Sequence, residues 1–128
     1  MYDIYYAHHR WKYGTQEEKY ELELIRKYFP LARIFNPSTD LKSTAIDGEE
    51  VVMKECLETV DDSDILVFSS LDGCIGTGVY REVQEAKYKG KIVFYIYQDK
   101  LHFDFTVSKR EEPGMTDRLY AFVDLNSH

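Results

Sequence analysis

The sequence of 128 residues lacks the features that identify several large classes of protein. It contains no run of about 18 apolar residues, so we expect no membrane-spanning helix. Its start lacks the basic segment and cleavage site of a signal peptide. The 16 Lys and Arg residues form no cluster and are outnumbered by 23 Asp and Glu residues, which gives a formal charge of −7. Because phosphate backbones are bound by basic faces, we expect no nucleic-acid polymer as a partner.

Cysteine and histidine are also scarce. Cys56 and Cys74 are the 2 cysteines of the chain, and they do not form a CxxC pair. A disulfide-stabilised domain would carry more of them, so we expect a reduced, cytoplasmic protein. His8 and His9 are adjacent, and neighbouring side chains of a strand point to opposite faces. Since no further His or Cys stands at ligand spacing, we expect no metal site and no cofactor.

The residues that are present are typical of one globular domain. The apolar fraction is 44% and the charged fraction is 30%, whereas a disordered chain would have far fewer apolar groups. The length suits one domain with one core, and no linker or repeat interrupts the pattern. We therefore predict a single domain over residues 1–128.

Strand and helix patterns alternate along most of the chain. A capping box at Thr15 and Glu18 predicts the start of the first helix, and Asp47 marks the start of the second. The third helix is predicted from about Thr77 to Lys89. Apolar runs predict four strands, at residues 2–7, 32–36, 65–68 and 92–97. This alternation predicts right-handed parallel crossovers and an α/β, flavodoxin-like (Rossmann-like) three-layer sandwich with a mostly parallel sheet in the order 2-1-3-4.

The pattern changes after residue 98. Residues 102–107 alternate like a strand, residues 108–114 are predicted to form a charged turn, and residues 119–125 fit a strand or a short helix. One of these segments could add a fifth strand to the sheet.

Ligands of open parallel sheets bind beyond the carboxyl ends of the strands. Three segments leave those ends, at residues 8–11, 36–39 and 69–78, and we expect them to converge. In the third, glycines allow close approach of a ligand, and Thr77 opens a helix whose amides favour an anion. Glu82 follows near the start of that helix, where the dipole would keep it ionised. It would suit a nucleophile or a sugar ligand, although a helix-start acid can also be purely structural.

Several motifs together resemble the nucleoside 2-deoxyribosyltransferase family, whose superfamily includes the deoxynucleoside monophosphate N-glycosidases. The similarity covers residues 2 to about 97. Its most specific part is the glycine loop that leads to Glu82, four residues before Ala86, followed by Gly90-Lys91 before a strand. The other matching segments are Tyr5-Tyr6-Ala7, a polar turn ending in Arg10-Trp11, and strand residues 63–67.

The resemblance implies a retaining double displacement. Glu82 would attack the anomeric carbon of a 2′-deoxynucleoside and expel the base, and water or a second base would resolve the glycosyl-enzyme. A second acid would assist the leaving group, as in retaining glycosidases. Asp72 is the nearest candidate for this second catalytic role, and Glu55 or Glu58 of the preceding helix is an alternative.

The resemblance also implies where a small nucleoside or nucleotide binds. The amides of Gly76 to Gly78 would hold a 5′-hydroxyl or a phosphate. The turn from Tyr6 to Arg10 would line the base and sugar pocket. The family's C-terminal segment often completes a neighbour's pocket, so we expect a homo-oligomer, a dimer or higher. The predicted substrate-binding residues are Tyr6, Arg10, Trp11, Asn36, Gly76, Thr77 and Gly78.

An N-glycosidic enzyme is the favoured function, and two others stay open. A module of the same fold could bind or sense a nucleotide without catalysis, and the uncertain second acid favours this reading. A Toll/interleukin-receptor-like domain, which also combines a parallel sheet with a glutamate on a helix, would cleave NAD. Fold alone does not decide among them.

Overall fold

A central five-stranded sheet organises the computed structural model, which describes residues 1–110 and 120–126. The strands of the described residues are β1 (Asp3–Ala7), β2 (Arg33–Phe35), β3 (Ile65–Phe68), β4 (Cys74–Ile75), β5 (Ile92–Tyr97), β6 (Lys100–His102), β7 (Phe105–Lys109) and β8 (Ala121–Leu125). The helices are α1 (Gln16–Tyr28), α2 (Pro37–Asp40), α3 (Glu49–Asp62) and α4 (Thr77–Tyr88), with short 3-10 turns at Arg10–Lys12 and Ala45–Asp47.

The order of the central sheet is β2-β1-β3-β5-β6. The first four strands are parallel, and β1 lies beside β3 with Ile4 opposite Ile65. The predicted order 2-1-3-4 is therefore confirmed, with β5 as the fourth parallel strand. The fold is the expected flavodoxin-like three-layer α/β arrangement.

The two faces of the sheet pack against different helices. Alternate residues of β1 point to opposite faces, as strand geometry requires. Ile4 and Tyr6 pack with Ile25 of α1 on one face. Tyr5 and Ala7 belong to the core on the other face, which also contains residues of α3 and α4. Even-numbered residues of β1 therefore face α1, and odd-numbered residues face the layer of α3 and α4.

The first helix begins as its capping box predicts. The Thr15 side chain accepts a hydrogen bond from the Glu18 amide at 3.2 Å, and α1 follows from Gln16. Thr15 also donates its hydroxyl hydrogen to the carbonyl oxygen of Lys12 at 2.6 Å. The cap thus ties α1 to the turn that leaves β1.

The tail differs from the sequence prediction. A single strand over residues 102–107 is wrong, because His102 ends β6 and Phe105 begins β7 in a second sheet of order β4-β8-β7. Gln98 and Asp99 have φ angles of 49° and 63°, the geometry of a tight type I′ turn that folds β6 back onto β5. The strand alternative for the last segment is confirmed by β8, and residues 111–119 of the predicted turn and strand lie outside the described residues.

No helix within residues 1–110 and 120–126 combines the length and apolarity needed to cross a membrane.

Candidate functional site

Glu82 lies buried between α4 and the central sheet. It is the sixth residue of α4, its exposure is 5%, and its side chain accepts a hydrogen bond from the Tyr5 hydroxyl. Burial raises the pKa of Glu82 to about 7, and the hydrogen bond from Tyr5 opposes that rise. The expectation of a dipole-stabilised charge therefore does not hold, because the helix field fades beyond the first turn and desolvation dominates.

Tyr5 holds this carboxyl group from the centre of the sheet. Its fully buried ring stacks on Phe35 of β2, with the ring centroids 5.5 Å apart. Burial raises the pKa of Tyr5, and the charge of Glu82 raises it further, so the hydroxyl stays protonated and donates. The Cys56 thiol of α3 lies next to this pair, and burial raises the pKa of Cys56 to about 11. That thiol is consequently protonated and a weak nucleophile.

Arg81 does not neutralise Glu82, although the two are adjacent in the sequence. Its guanidinium nitrogen lies 3.6 Å from a carboxylate oxygen of Glu50 on α3, at the protein surface. Successive helix residues point in different directions, so Arg81 faces outward while Glu82 faces the sheet.

Tyr13 brings a second hydroxyl toward Glu82. It closes the short 3-10 turn after β1, its amide donating to the carbonyl oxygen of Arg10 at 3.0 Å, and its ring lies 5.0 Å from the His8 ring. Burial raises the pKa of Tyr13, and the Glu82 charge raises it further. Since 37% of Tyr13 is exposed, a neutral hydroxyl stands at the solvent edge of the site.

Tyr6 occupies the opposite face of the sheet. It is fully buried, and its hydroxyl donates to Glu21 of α1. Lys12 donates to Glu21 at 2.9 Å and to Ser69 at 2.9 Å, and the Ser69 hydroxyl donates to Glu21 at 2.7 Å. The predicted substrate-binding Tyr6 is thus engaged in a buried polar network that joins α1 to the ends of β1 and β3.

His8 anchors the turn after β1. Its Nε2 atom lies 2.7 Å from the Glu18 carboxylate, and its ring stacks on Tyr6 at a centroid distance of 3.8 Å. Burial lowers the pKa of His8 despite the Glu18 contact, so the ring is neutral at pH 7. Arg10 and Trp11 project outward from this turn, with Trp11 58% exposed.

Asp72 lies in a hairpin turn. Asp72 and Gly73 have φ angles of 49° and 82°, and Leu71 and Cys74 exchange backbone hydrogen bonds of 2.8 and 2.9 Å across them. This is the Asp-Gly type I′ turn, in which glycine is needed for its backbone conformation. Asp72 lines a cavity on the α1 side of the sheet edge that Glu82 does not line, so the two predicted catalytic residues border different spaces.

The remaining predicted binding residues surround the start of α4 and the end of β2. Gly76 caps α4 and accepts a hydrogen bond from the Tyr80 amide at 2.9 Å, and Thr77 begins the helix. A Cβ atom on Gly78 would stand 3.3 Å from the terminal methyl of Met53. Asn36 is buried, and its side-chain oxygen accepts from the Ser38 amide at 2.9 Å as the cap of α2.

The cavity next to Asp72 has a volume of about 590 Å³. It opens at the carboxyl ends of β3 and β5, beside α1. Its described lining comprises Lys12, Glu17, Tyr20, Glu21, Ser69, Ser70, Asp72, Gly73, Tyr95, Ile96, Tyr97, Gln98, Asp99, Val123, Asp124 and Leu125. Within residues 1–110 and 120–126, no group of three or more His, Cys, Asp or Glu side chains is placed to hold a metal ion.

Sequence reasoning missed two residues of the Glu82 site, Tyr5 and Tyr13. The alternation of β1 shows that Tyr5 and Tyr6 face opposite layers, but not which of them faces α4. Tyr13 lies in a polar turn whose path depends on the buried Lys12 and His8 contacts. The positions of Tyr5 and Tyr13 next to Glu82 therefore depend on contacts between distant parts of the chain, which a local sequence pattern does not reveal.

No known protein family matches this sequence, and no curated protein matches it. The fold is similar to the structure of a CMP N-glycosidase of Clostridium botulinum, with a TM-score of 0.51 and 15% identity over 73% of this chain and 69% of that one. It is also similar to a conserved protein of Enterococcus faecalis, with a TM-score of 0.56 and 26% identity over 78% of this chain and 65% of that one. The likeness is one of fold, and this chain spans about two thirds of each neighbour's length.

Proposed function

We propose that this protein cleaves the N-glycosidic bond of a nucleoside or nucleotide, with Glu82 as the covalent nucleophile. The observation that carries the proposal is the buried, hydrogen-bonded pair of Tyr5 and Glu82 between the sheet and α4. A carboxyl group with a pKa near 7 and an oriented hydrogen bond has the form of a catalytic acid or nucleophile rather than of a surface charge.

The fold adds independent support. A flavodoxin-like sheet binds ligands at the carboxyl ends of its strands, and the helix that carries Glu82 begins in the segment that leaves β3 at that edge. One solved structure of similar fold is a CMP N-glycosidase, an enzyme that breaks the class of bond proposed here. Nucleotides are therefore included among the substrates to be tested.

In the first step, one carboxylate oxygen of Glu82 attacks the anomeric carbon while the bond from that carbon to the base nitrogen breaks. The bonding electron pair leaves with the base, which takes up one proton. In the second step, water or a second base attacks the same carbon and releases Glu82, so the configuration is retained. Tyr5 would hold the attacking oxygen in place through its hydrogen bond.

The proton for the leaving base needs a donor. Tyr13 is our candidate, because its hydroxyl is neutral, partly exposed and close enough to Glu82 for their charges to interact. Asp72 remains the candidate proton donor that the sequence suggests, although it lines a cavity that Glu82 does not line. Replacing each residue separately, as Tyr13→Phe and Asp72→Asn, would show which loss slows base release.

The decisive experiment measures free base by chromatography after incubation with ribo- and deoxynucleosides, their monophosphates and NAD. We expect base release from at least one nucleoside or nucleotide, and a loss on the order of 10³-fold or more in Glu82→Gln. Glu85→Gln, on the same helix but half-buried next to Asp61 of α3, is the matched control and should keep full activity. Mass spectrometry of the stopped reaction should detect protein carrying one sugar.

Other outcomes would overturn the proposal in a defined way. Tight nucleotide binding without base release from any substrate would establish the non-catalytic binding module. Cleavage of NAD alone would establish the Toll/interleukin-receptor-like activity. Full activity of Glu82→Gln would mean that the nucleophile is another residue.

A further inference from the structure

We propose that the 590 Å³ cavity beside α1 is a second binding site, which takes a small organic cation with two or more protonated amines. Neither Glu82 nor the neighbouring Tyr5 and Tyr13 line this space, and Asp72 at its rim is only the alternative candidate for the proton donor. A volume of about 590 Å³ lies within the range of small-molecule sites in proteins. The proposal therefore stands apart from the proposed function.

Three tyrosines are among the residues that line the cavity. Tyr20 comes from α1, and Tyr95 and Tyr97 come from the end of β5. Tyr95 is almost fully buried and its hydroxyl lies 2.7 Å from the Ser70 hydroxyl, whereas Tyr97 is 38% exposed and Tyr20 half exposed. Aromatic faces attract ammonium groups through the ring quadrupole, which favours an organic cation over an anion.

Lys12, a buried cation in the lining of the cavity, is already neutralised by carboxylates of α1. Lys12 is buried, and its ammonium group is 2.9 Å from Glu21, 3.1 Å from Glu17 and 2.9 Å from the Ser69 hydroxyl. It donates hydrogen bonds to Glu21 and Ser69, and its contact with Glu17 is an ion pair. Lys12 consequently offers no positive charge to a phosphate or a carboxylate in the cavity.

The carboxylates of the rim carry charge that no cation of the described residues balances. Asp72, Asp99 and Asp124 line the cavity, and within residues 1–110 and 120–126 no ion pair joins any of them to a Lys, Arg or His. All three are exposed at the cavity, so their carboxylates can reach a ligand there. A ligand with several positive charges would relieve the repulsion among these carboxylates.

The test uses calorimetric titration of the full chain with spermidine. We expect saturable binding, and affinity at least about tenfold weaker in the double variant Asp99→Asn/Asp124→Asn, because each loss removes one charge partner. Both side chains are exposed, so the variant should fold normally. Tyr97→Leu should also weaken binding through loss of the aromatic wall.

Control variants distinguish binding of spermidine in the cavity from non-specific attraction of a cation to an acidic protein. Glu58→Gln/Asp62→Asn makes the same change in net charge on α3, outside the cavity, and should bind spermidine as the unmodified protein does. Glu82→Gln should also bind normally, and the Asp99/Asp124 variant should keep its base release. Absence of binding, equal weakening in the α3 control, or displacement by magnesium chloride at equal ionic strength would overturn the proposal.

Discussion

The protonation of Glu82 couples pH to the stability of the protein and, in the proposed reaction, to activity. Its pKa is near 4.5 in an unfolded chain and about 7 in the folded protein, because burial disfavours the charged form. The folded state therefore holds the proton more tightly, and ionisation costs stability as the pH rises from about 4.5 through 7. Below about pH 4.5 Glu82 is protonated in both states and costs no stability, and above about pH 7 the full cost of its ionisation is present.

Glu82→Gln should remove this cost while keeping the shape of the side chain. We expect the variant to resist urea better than the unmodified protein at pH 8, and to match it at pH 4.5. Glu23→Gln on the exposed side of α1 is the control and should show no such crossover. An equal difference at both pH values would mean that Glu82 is not buried as described.

Tyr5 controls the same ionisation from the neighbouring strand. Tyr5→Phe keeps the ring on Phe35 but removes the hydrogen bond that lowers the pKa of Glu82. If the carboxylate is the nucleophile, base release should rise with pH through about 7, and in Tyr5→Phe the midpoint should move up by about one unit. Activity would then be restored at high pH. A loss of equal size at every pH would contradict this and would indicate a purely structural effect.

At the scale of the elements, a substitution in the first turn of α4 tests whether the backbone amides of that turn hold a ligand. Alanine favours a helix over glycine by about 1 kcal/mol, and the flexible end of Met53 can move the few tenths of an ångström that a new Cβ requires. Gly78→Ala should therefore leave the melting temperature equal or slightly higher. If the ligand approaches this turn closely, KM should rise while kcat changes less. Unchanged KM would mean that the glycine serves the helix packing alone.

The main strands and helices were readable from the sequence because their signals are local. Buried apolar runs and the Thr15 cap placed β3, β5 and α1 correctly. The hairpin at Gln98-Asp99 was not readable, since it adopts left-handed backbone angles without a glycine or an asparagine. At Asp72-Gly73 the turn signal was present in the sequence, but the glycine was interpreted as room for close approach of a ligand, whereas it serves a type I′ turn.

At the scale of the whole molecule, the α1 layer leaves part of the sheet open. Ile92 of β5 is 54% exposed on the face that α1 covers, and Tyr28 near the end of α1 is also exposed. We expect a dimer that covers such surface, with light scattering at tens of micromolar reporting about twice 15.1 kDa. Tyr28→Glu should weaken the dimer without unfolding the chain. A mass of 15.1 kDa throughout that range would refute the dimer.

The candidate site depends on distances that the sequence does not contain. Tyr5 and Glu82 meet although 77 residues separate them, and which tyrosine of β1 faces α4 follows from the packing of whole layers. Residue types and spacing identified Glu82, while its partners and its pKa required the fold.

The central position of β1 also has a consequence for the time course of synthesis. β1 lies between β2 and β3, which both follow it in the sequence, so neither of its edges is filled until those later segments have been made. Tyr5 must wait longer still, because its hydrogen-bond partner is on α4. Contacts between such distant segments form slowly. A newly made chain would therefore expose β1, four of whose five residues are buried in the folded protein, to chaperones before the candidate site exists.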